Sequence, residues 1–148
     1  MEDQDFWRFS GIFRDVYLYA IPKTHLQDIF IKHELINDYT TGSLDIEAKI
    51  QGEINETTIS FILRDKNRKV IYETYVEGKN EVKLAANVGA VLPWSAEQPN
   101  LYTLEIAILH DSALVEVVSQ KIGFRTFEMK DGLMLLNGSE LFQRREPT

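Results

Sequence analysis

Hydrophobic and polar residues alternate along most of this chain. Between Leu44 and Ile50, apolar side chains occupy every second position, and Asp45, Glu47 and Lys49 fill the positions between them. That spacing turns the apolar side chains to one face of a strand and the charged ones to the other. Three further runs show the same alternation: Ile59 to Leu63, Val82 to Val88, and Leu104 to Ile108. Each run predicts a half-buried β-strand.

The segments between these runs are rich in turn-forming residues. The turn segments are Asn37 to Gly42, Asp65 to Asn67, Gly78 to Asn80, Pro93 to Asn100, and His110 to Ser112. The stretch from Thr24 to Leu35 alternates and is enriched in β-branched residues, so we interpret it as a first strand and not as a helix. Strands of this length joined by short turns predict an all-β fold, an antiparallel immunoglobulin-like β-sandwich.

The two ends of the chain follow a different pattern. The first sixteen residues, MEDQDFWRFSGIFRDV, gather large, charged and turn-forming residues as the interior of a domain does, so we expect further sequence upstream. After Phe127, an apolar run ends at Asn137-Gly138, the favoured dipeptide of a type I′ hairpin turn, and Leu141-Phe142 begins a return strand. We expect this hairpin to pack against structure outside the chain. Pro22 and residues 127–131 are the predicted boundaries of the sandwich.

Composition narrows the possible functions. The chain has 148 residues, a formal net charge of −7 and no cysteine. The negative charge disfavours binding to nucleic acid or to an anionic membrane and favours neutral or cationic ligands. The absence of cysteine excludes thiolate nucleophiles, zinc–thiolate sites and disulfides. There is no signal-peptide pattern and no apolar stretch near the roughly 20 residues of a membrane span. The sequence predicts a soluble chain and leaves its compartment unknown.

No catalytic constellation can be assembled from the sequence. Glycoside hydrolysis needs two facing carboxyl groups, but most acidic residues occupy outward strand positions, where we expect a solvated face. Examples are Asp45, Glu47, Glu105 and Glu116. His25, His33 and His110 stand in different predicted elements without metal-ligand spacing, and we expect them at the surface. There is no nucleophile elbow and no phosphate-binding loop.

Two aromatic segments have both a structural and a ligand-binding interpretation. The connection LPWSAEQPNLY, residues 92–102, carries two prolines together with Trp94 and Tyr102. It is either an aromatic plug, with the Tyr102 hydroxyl bonded to backbone as in a tyrosine corner, or a platform on which a sugar stacks. The proline-fixed loop favours the plug. Trp7 and Asp5 raise the same question, since a sugar site combines an apolar ring face with acceptors for hydroxyl groups.

Three segments in this order, EDQDFWRFSGIFRDV, LPWSAEQPNLY and IGFRTFEMKDGLMLLNG, resemble the β-galactosidases of glycoside hydrolase family 2. The resemblance covers essentially the whole chain. It implies that residues 1–20 end a jelly-roll sugar-binding domain and that residues 21–127 form an immunoglobulin-like β-sandwich domain. Residues 128–148 would be the first hairpin of a catalytic (β/α)₈ barrel, cut short.

The resemblance also implies a function for the parent enzyme, the hydrolysis of terminal β-galactosides with retention. In the family, both catalytic glutamates and the magnesium ligands lie on the barrel, downstream of position 148. This chain is therefore expected to be inactive, with no catalytic residue and no cofactor of its own. Magnesium and sodium are implied for the full-length parent. The expected partners are the jelly-roll and barrel domains of the same molecule, and the parent's β-galactoside substrate.

The resemblance assigns roles to a few positions. Asp5, two residues before the motif Trp7, would reach the galactose subsite and help to ligate a monovalent cation in the full-length parent. A carboxylate suits both tasks. Trp7, Arg14, Trp94 and Tyr102 would be structural.

The sequence departs from the family after the hairpin, and other interpretations remain open. The family continues with a Gly-Val-Asn-Arg-His-Glu-like run, whereas this chain has Arg144 to Thr148. One alternative is a free-standing immunoglobulin-like module that binds a carbohydrate or a protein. Another is the same domain from a β-glucuronidase or β-mannosidase. The acidic lead-in from Glu2 to Asp5 favours a galactosidase.

Overall fold

The computed structural model describes residues 11–12 and 14–140, and its regular structure consists of antiparallel strands. The strands are β1 (His25–Ile36), β2 (Thr41–Gln51), β3 (Thr57–Arg64), β4 (Val70–Glu77), β5 (Glu81–Ala90), β6 (Tyr102–His110), β7 (Ala113–Ile122), β8 (Phe127–Lys130), β9 (Leu133–Leu136) and β10 (Ser139–Glu140). No helix within the described part of the chain is long and apolar enough to cross a membrane.

Seven strands form two sheets that face each other, with the orders β1-β2-β5 and β4-β3-β6-β7. This arrangement confirms the predicted immunoglobulin-like sandwich and the first strand. The alternation places β2, β3, β5 and β6 correctly. It indicates no particular strand for β4 or β7, which form the two edges of the larger sheet.

The core lies between the two sheets and is built by the residues that the period-two pattern selects. On β2, Leu44 and Ile46 are buried, while the intervening Asp45 and Glu47 are exposed. Phe61 on β3 and the apolar positions of β6 meet them from the opposite sheet. Because each buried aliphatic side chain contributes about 1.5–3 kcal/mol, this core is the main source of stability.

Strand β1 carries a bulge between Leu26 and Asp28, near its start. The Leu26 N–H donates to Oε2 of Glu116 on β7, at 2.6 Å. Although the alternation predicts a solvated position for Glu116, its carboxylate is half-buried. It satisfies a backbone donor of the edge strand β1, and it joins the edges of the two sheets.

The strands end at two poles, which organise the rest of the molecule. The upper pole holds residues 37–40, 65–69 and 91–101, and the segment 123–126 leaves from it. The lower pole holds residues 52–56, 78–80 and 111–112, and residues 22–24 lead into β1 at this end.

Beyond the sandwich, β8, β9 and β10 form a small separate sheet, which we call the terminal sheet. The predicted hairpin turn is confirmed, because Asn137 and Gly138 have φ angles of 53° and 76°, as a type I′ turn requires. The return strand β10 begins at Ser139. The predicted continuation at Leu141-Phe142 lies outside the described residues.

Candidate functional site

Three parts of the chain converge at the upper pole: the aromatic loop (residues 92–102), the linking segment (residues 123–126) and the terminal sheet. We call their meeting point the upper junction. It contains two of the aromatic residues that the sequence singles out, together with polar side chains that tie the terminal sheet to the sandwich.

Tyr102 closes the aromatic loop onto the sandwich. Its hydroxyl accepts a hydrogen bond from the backbone N–H of Leu92 at 2.8 Å, which is the contact that a tyrosine corner makes. Its ring packs edge-on against Phe124, with ring centres 5.4 Å apart. Both side chains are buried, so this end of the core is sealed by aromatic rings.

Trp94 is half-buried and is held from several sides. Its backbone N–H donates to the carbonyl of Phe124 at 2.8 Å, and the Arg125 guanidinium lies 4.7 Å from the centre of its indole ring. Gly123 lies against the same ring, because a Cβ atom at that position would be 2.7 Å from Trp94 Cδ1. A stacking sugar needs an open ring face, so these contacts favour the plug over the platform.

Asn137 is the centre of the upper junction. Its Oδ1 accepts from the Thr126 N–H at 2.9 Å, and its own N–H donates to the Thr126 carbonyl at 2.8 Å. Its Nδ2 donates to the carbonyl of Trp94 at 2.9 Å. One side chain therefore joins the hairpin turn, the linking segment and the aromatic loop, and satisfies backbone groups in two of them.

Thr126 carries this connection into the first sheet. Its hydroxyl donates to the Leu35 carbonyl at 2.9 Å and accepts from the Leu35 N–H at 3.0 Å. Leu35 lies near the end of β1, on the edge of its sheet. Thr126 thus takes the place of a neighbouring strand at one ladder position and fixes where the linking segment leaves the sandwich.

The β1–β2 turn supports the terminal sheet from the other side. Asn37, Asp38 and Tyr39 are all in the left-handed region, with φ between 52° and 61°, and this places the Tyr39 ring against Gly138. A Cβ atom at Gly138 would be 2.6 Å from Tyr39 Cε2. The Tyr39 hydroxyl donates to Glu128 on β8, and this hydrogen bond raises the Tyr39 pKa above its ordinary value.

His33 lies beneath the upper junction on β1. Its ring packs edge-on against Phe124, with centres 6.2 Å apart, and Nδ1 is buried without a hydrogen-bond partner among the described residues. Burial lowers the pKa of His33 below the ordinary value of 6.5, and the nearby Arg125 charge lowers it further. The predicted surface position is therefore wrong for this histidine, since its imidazole is part of the packing.

A cavity of about 540 Å³ opens beside the aromatic loop. Its lining includes the apolar residues Ile71, Val91 and Leu101 and the basic residues Lys66 and Lys121. Among the described residues that line it, Asp65 is the one carboxylate, and its Oδ1 already accepts the N–H groups of Asn67 and Lys69 at 2.8 and 2.9 Å. The cavity therefore lacks the carboxyl pair that glycoside hydrolysis requires.

Of the site residues assigned from the sequence, the structure brings Trp94 and Tyr102 together around Phe124. Arg14 precedes the sandwich and is exposed. Asp5 and Trp7 lie outside the described residues, so their assigned roles stay predictions.

Sequence reasoning did not assign a role to Thr126, Tyr39 or Asn137 in joining the terminal sheet to the sandwich. The Asn137-Gly138 dipeptide carried a signal for the turn. Nothing in the sequence marked the Thr126 hydroxyl or the Tyr39 ring as partners.

The profile of the family described as "Glycosyl hydrolases family 2" matches residues 24–125. A β-galactosidase of Clostridium acetobutylicum is 51% identical over 138 residues, which cover 92% of this chain and 15% of that protein. A β-galactosidase of Streptococcus thermophilus is 47% identical over 142 residues, which cover 95% of this chain and 14% of that protein. The chain thus spans about 15% of the length of these relatives.

Solved structures support the fold. A β-glucuronidase of Parabacteroides merdae superposes with a TM-score of 0.71 at 23% identity, covering 81% of this chain and 16% of that one. A β-glucuronidase of Ruminococcus gnavus gives a TM-score of 0.70 at 22% identity, covering 83% of this chain and 20% of the other. The family profile covers both sheets of the sandwich and the linking segment as far as Arg125. This chain therefore belongs to the glycosyl hydrolases of family 2.

Proposed function

We propose that this chain is the non-catalytic, immunoglobulin-like part of a retaining β-galactosidase and that its role is to hold neighbouring domains in a fixed orientation. The upper junction is the observation that supports this role most directly. Hydrogen bonds from Asn137 and Thr126 fix the terminal sheet against the sandwich. A rigid connection is what an active site assembled from several domains needs. The β-galactosidase relatives favour this activity for the whole protein.

In this proposal, residues 1–20 end a jelly-roll domain, residues 21–127 form the sandwich, and residues 128–148 begin a (β/α)₈ barrel. Exposed apolar surfaces on both flanking segments support contacts with those domains. Phe127 and Met129 share one face of the terminal sheet with Met134, and they are 56% and 66% exposed. In the segment that precedes β1, residues 16–19 are Val, Tyr, Leu and Tyr, and all four are exposed. Patches of this kind mark interfaces.

The chemistry of the proposed enzyme would come from the parts that this chain does not contain. The cavity near Asp65 lacks a second carboxylate among its described lining residues. In line with the resemblance to the family 2 β-galactosidases, the two catalytic glutamates and the magnesium ligands are proposed to lie on the barrel. Asp5 is proposed to contact the sugar and a sodium ion in the whole protein, where the barrel would supply the other walls of the pocket.

The first experiment assays the 148-residue chain on an aryl β-galactoside, beside the whole protein from which it comes. We expect no turnover above background from the chain, and turnover from the whole protein that exceeds its activity on the matching β-glucuronide. Turnover by the chain itself would overturn the scaffold proposal. A whole protein that prefers the glucuronide would overturn the galactosidase assignment.

The second experiment tests Asp5 in the whole protein with the Asp5→Asn variant. We expect a higher KM for the galactoside and a weaker response to added sodium, because the amide keeps the shape but removes the charge. Asp3→Asn is the matched control in the same acidic lead-in. Equal KM values and equal sodium responses in the two variants would contradict the role of Asp5.

Tight galactoside binding by the 148-residue chain, measured by calorimetry, would favour the free-standing module. Loss of that binding in Trp94→Ala would also contradict the plug.

A further inference from the structure

We propose that Glu56, His110 and Asp111 form a binding site for a divalent transition-metal ion such as Zn²⁺ at the lower pole of the sandwich. One ligand atom from each side chain lies within 4.8 Å of the other two. His110 is half-buried, and the two carboxylates are exposed and free to adjust. The site uses none of the residues that the proposed function assigns to sodium or magnesium.

The backbone brings the three residues together before any metal binds. Glu56 lies in the β2–β3 loop, His110 is the last residue of β6, and Asp111 opens the β6–β7 turn. Thr57 pairs with His110 in the ladder between β3 and β6, so the two loops begin side by side. The Asp111 N–H also donates to the Glu56 carbonyl at 3.2 Å. The main-chain positions of all three ligands are therefore set by the sandwich.

The distances leave room for an ion. Zinc binds imidazole nitrogen and carboxylate oxygen at about 2.0–2.2 Å, which places neighbouring tetrahedral ligand atoms about 3.4 Å apart. Nε2 of His110 and Oδ2 of Asp111 are already 3.8 Å apart. The remaining adjustment is about an ångström for exposed side chains, a change that rotation of the Glu56 side chain can supply.

The ligand types select the class of metal. Calcium and magnesium prefer a shell of oxygen ligands, whereas an imidazole favours zinc, nickel or copper. One nitrogen and two carboxylate oxygens leave a coordination position open for water, as in three-ligand zinc sites. The two carboxylates balance the charge of the ion, so binding would neutralise a cluster of like charges on a chain whose net charge is −7.

The test titrates ZnCl₂ into the 148-residue chain after removal of metal with a chelator, using calorimetry and thermal unfolding. We expect one ion per chain and a rise in the unfolding midpoint that the chelator reverses. His110→Gln and Glu56→Gln should each weaken zinc binding by about tenfold or more. Even the loss of a residue that only hydrogen-bonds to a metal ligand lowers metal affinity by about tenfold. Both variants should match the parent chain in unfolding midpoint when chelator is present.

The matched control is Glu97→Gln, which removes the same charge from an exposed position in the aromatic loop at the other pole. It should bind zinc as the parent chain does. Proton NMR supplies a second measurement, in which zinc should shift the ring signals of His110 and leave those of His25 and His33 in place. Equal affinity in His110→Gln and the parent, no binding by the parent, or parallel shifts of all three histidines would overturn the proposal.

Discussion

The two segments that flank the sandwich differ in how the sandwich holds them. In the terminal sheet, Asn137 and Glu128 bond to residues of the sandwich and its loops, and Gly138 packs against Tyr39. In residues 15–22, apolar side chains such as Leu18 are fully exposed, and the Tyr17 hydroxyl bonds to its near neighbour Asp15. The sandwich dictates the orientation of the terminal sheet, whereas the apolar side chains of residues 16–19 stay exposed.

The difference lies in the kind of contact more than in the amount of apolar surface. Apolar burial is non-directional, so it permits many arrangements. A side chain that hydrogen-bonds to buried backbone groups permits few arrangements, because each backbone group left without its partner costs about 1–3 kcal/mol. Asn137 and Thr126 make such bonds at the upper junction. A domain that holds its neighbours in a fixed orientation would need such hydrogen bonds on the side that carries the terminal sheet.

The largest effect should come from Asn137→Ala. It removes both side-chain hydrogen bonds and places alanine at a φ of 53°, so we expect the free energy of unfolding to fall by about 2–4 kcal/mol. Urea unfolding measures that loss. Hydrogen exchange should show faster exchange across β8 and β9, because the terminal sheet loses its attachment to the linking segment.

Asn80→Ala is the matched control at the lower pole. Asn80 Nδ2 donates one longer bond, 3.3 Å, to the Ile50 carbonyl, so its loss should cost about 0.5 kcal/mol. If the two asparagine variants lost equal stability, the Asn137 bonds would not give the terminal sheet a stronger attachment than an ordinary loop contact provides.

A smaller effect should follow from Thr126→Val, which keeps the shape of the side chain and removes its hydroxyl. The Leu35 N–H and carbonyl would each lose a partner, and we expect a loss of about 1–3 kcal/mol in the free energy of unfolding. Thr103→Val is the control, because that hydroxyl accepts a bond from Lys121 at the surface. Its effect should stay within about 0.5 kcal/mol. A neutral Thr126→Val would show that packing alone holds the linking segment.

The sequence predicts the central strands of the fold because their two faces meet different surroundings. Strand β2 is apolar toward the core and charged toward solvent, so its alternation is nearly complete. Edge strands give a weaker signal. In β4, residues from Val70 to Val76 are mixed on both faces, and most of them are partly exposed. A period-two pattern is therefore least informative where burial is incomplete.

The candidate site could also be predicted only in part from the sequence. The aromatic loop could be found because prolines and a tryptophan are rare together, and the Asn137-Gly138 turn could be found because its backbone geometry demands those residues. The residues that contact this turn could not be found from the sequence. Thr126 and Tyr39 act through contacts with residues 91 and 89 positions away, namely Leu35 and Glu128, and local sequence carries no record of such contacts.

The smallest effect should be a pH dependence that separates the upper junction from the lower pole. Burial and the Arg125 charge lower the pKa of His33 in the folded chain, and the Glu34 charge opposes them. The unfolded chain therefore binds the proton more readily than the folded chain does. Stability should be full above about pH 6.5, the ordinary histidine pKa, and should fall as the pH drops through that value. Below the folded pKa, this contribution should become constant.

The measurement is the free energy of urea unfolding from about pH 7.5 to about pH 5, in which the expected fall begins at about pH 6.5 and continues below it. His33→Gln should flatten the curve of unfolding free energy against pH. This variant removes the imidazole, whose protonation is disfavoured by burial in the folded chain. His25→Gln is the control, since that imidazole lies at the lower pole with Nδ1 against the Pro22 carbonyl at 3.0 Å. It should leave the slope of the parent chain unchanged. If His25→Gln flattened the curve and His33→Gln did not, the pH response would belong to the lower pole and the packing of His33 against Phe124 would not be its cause.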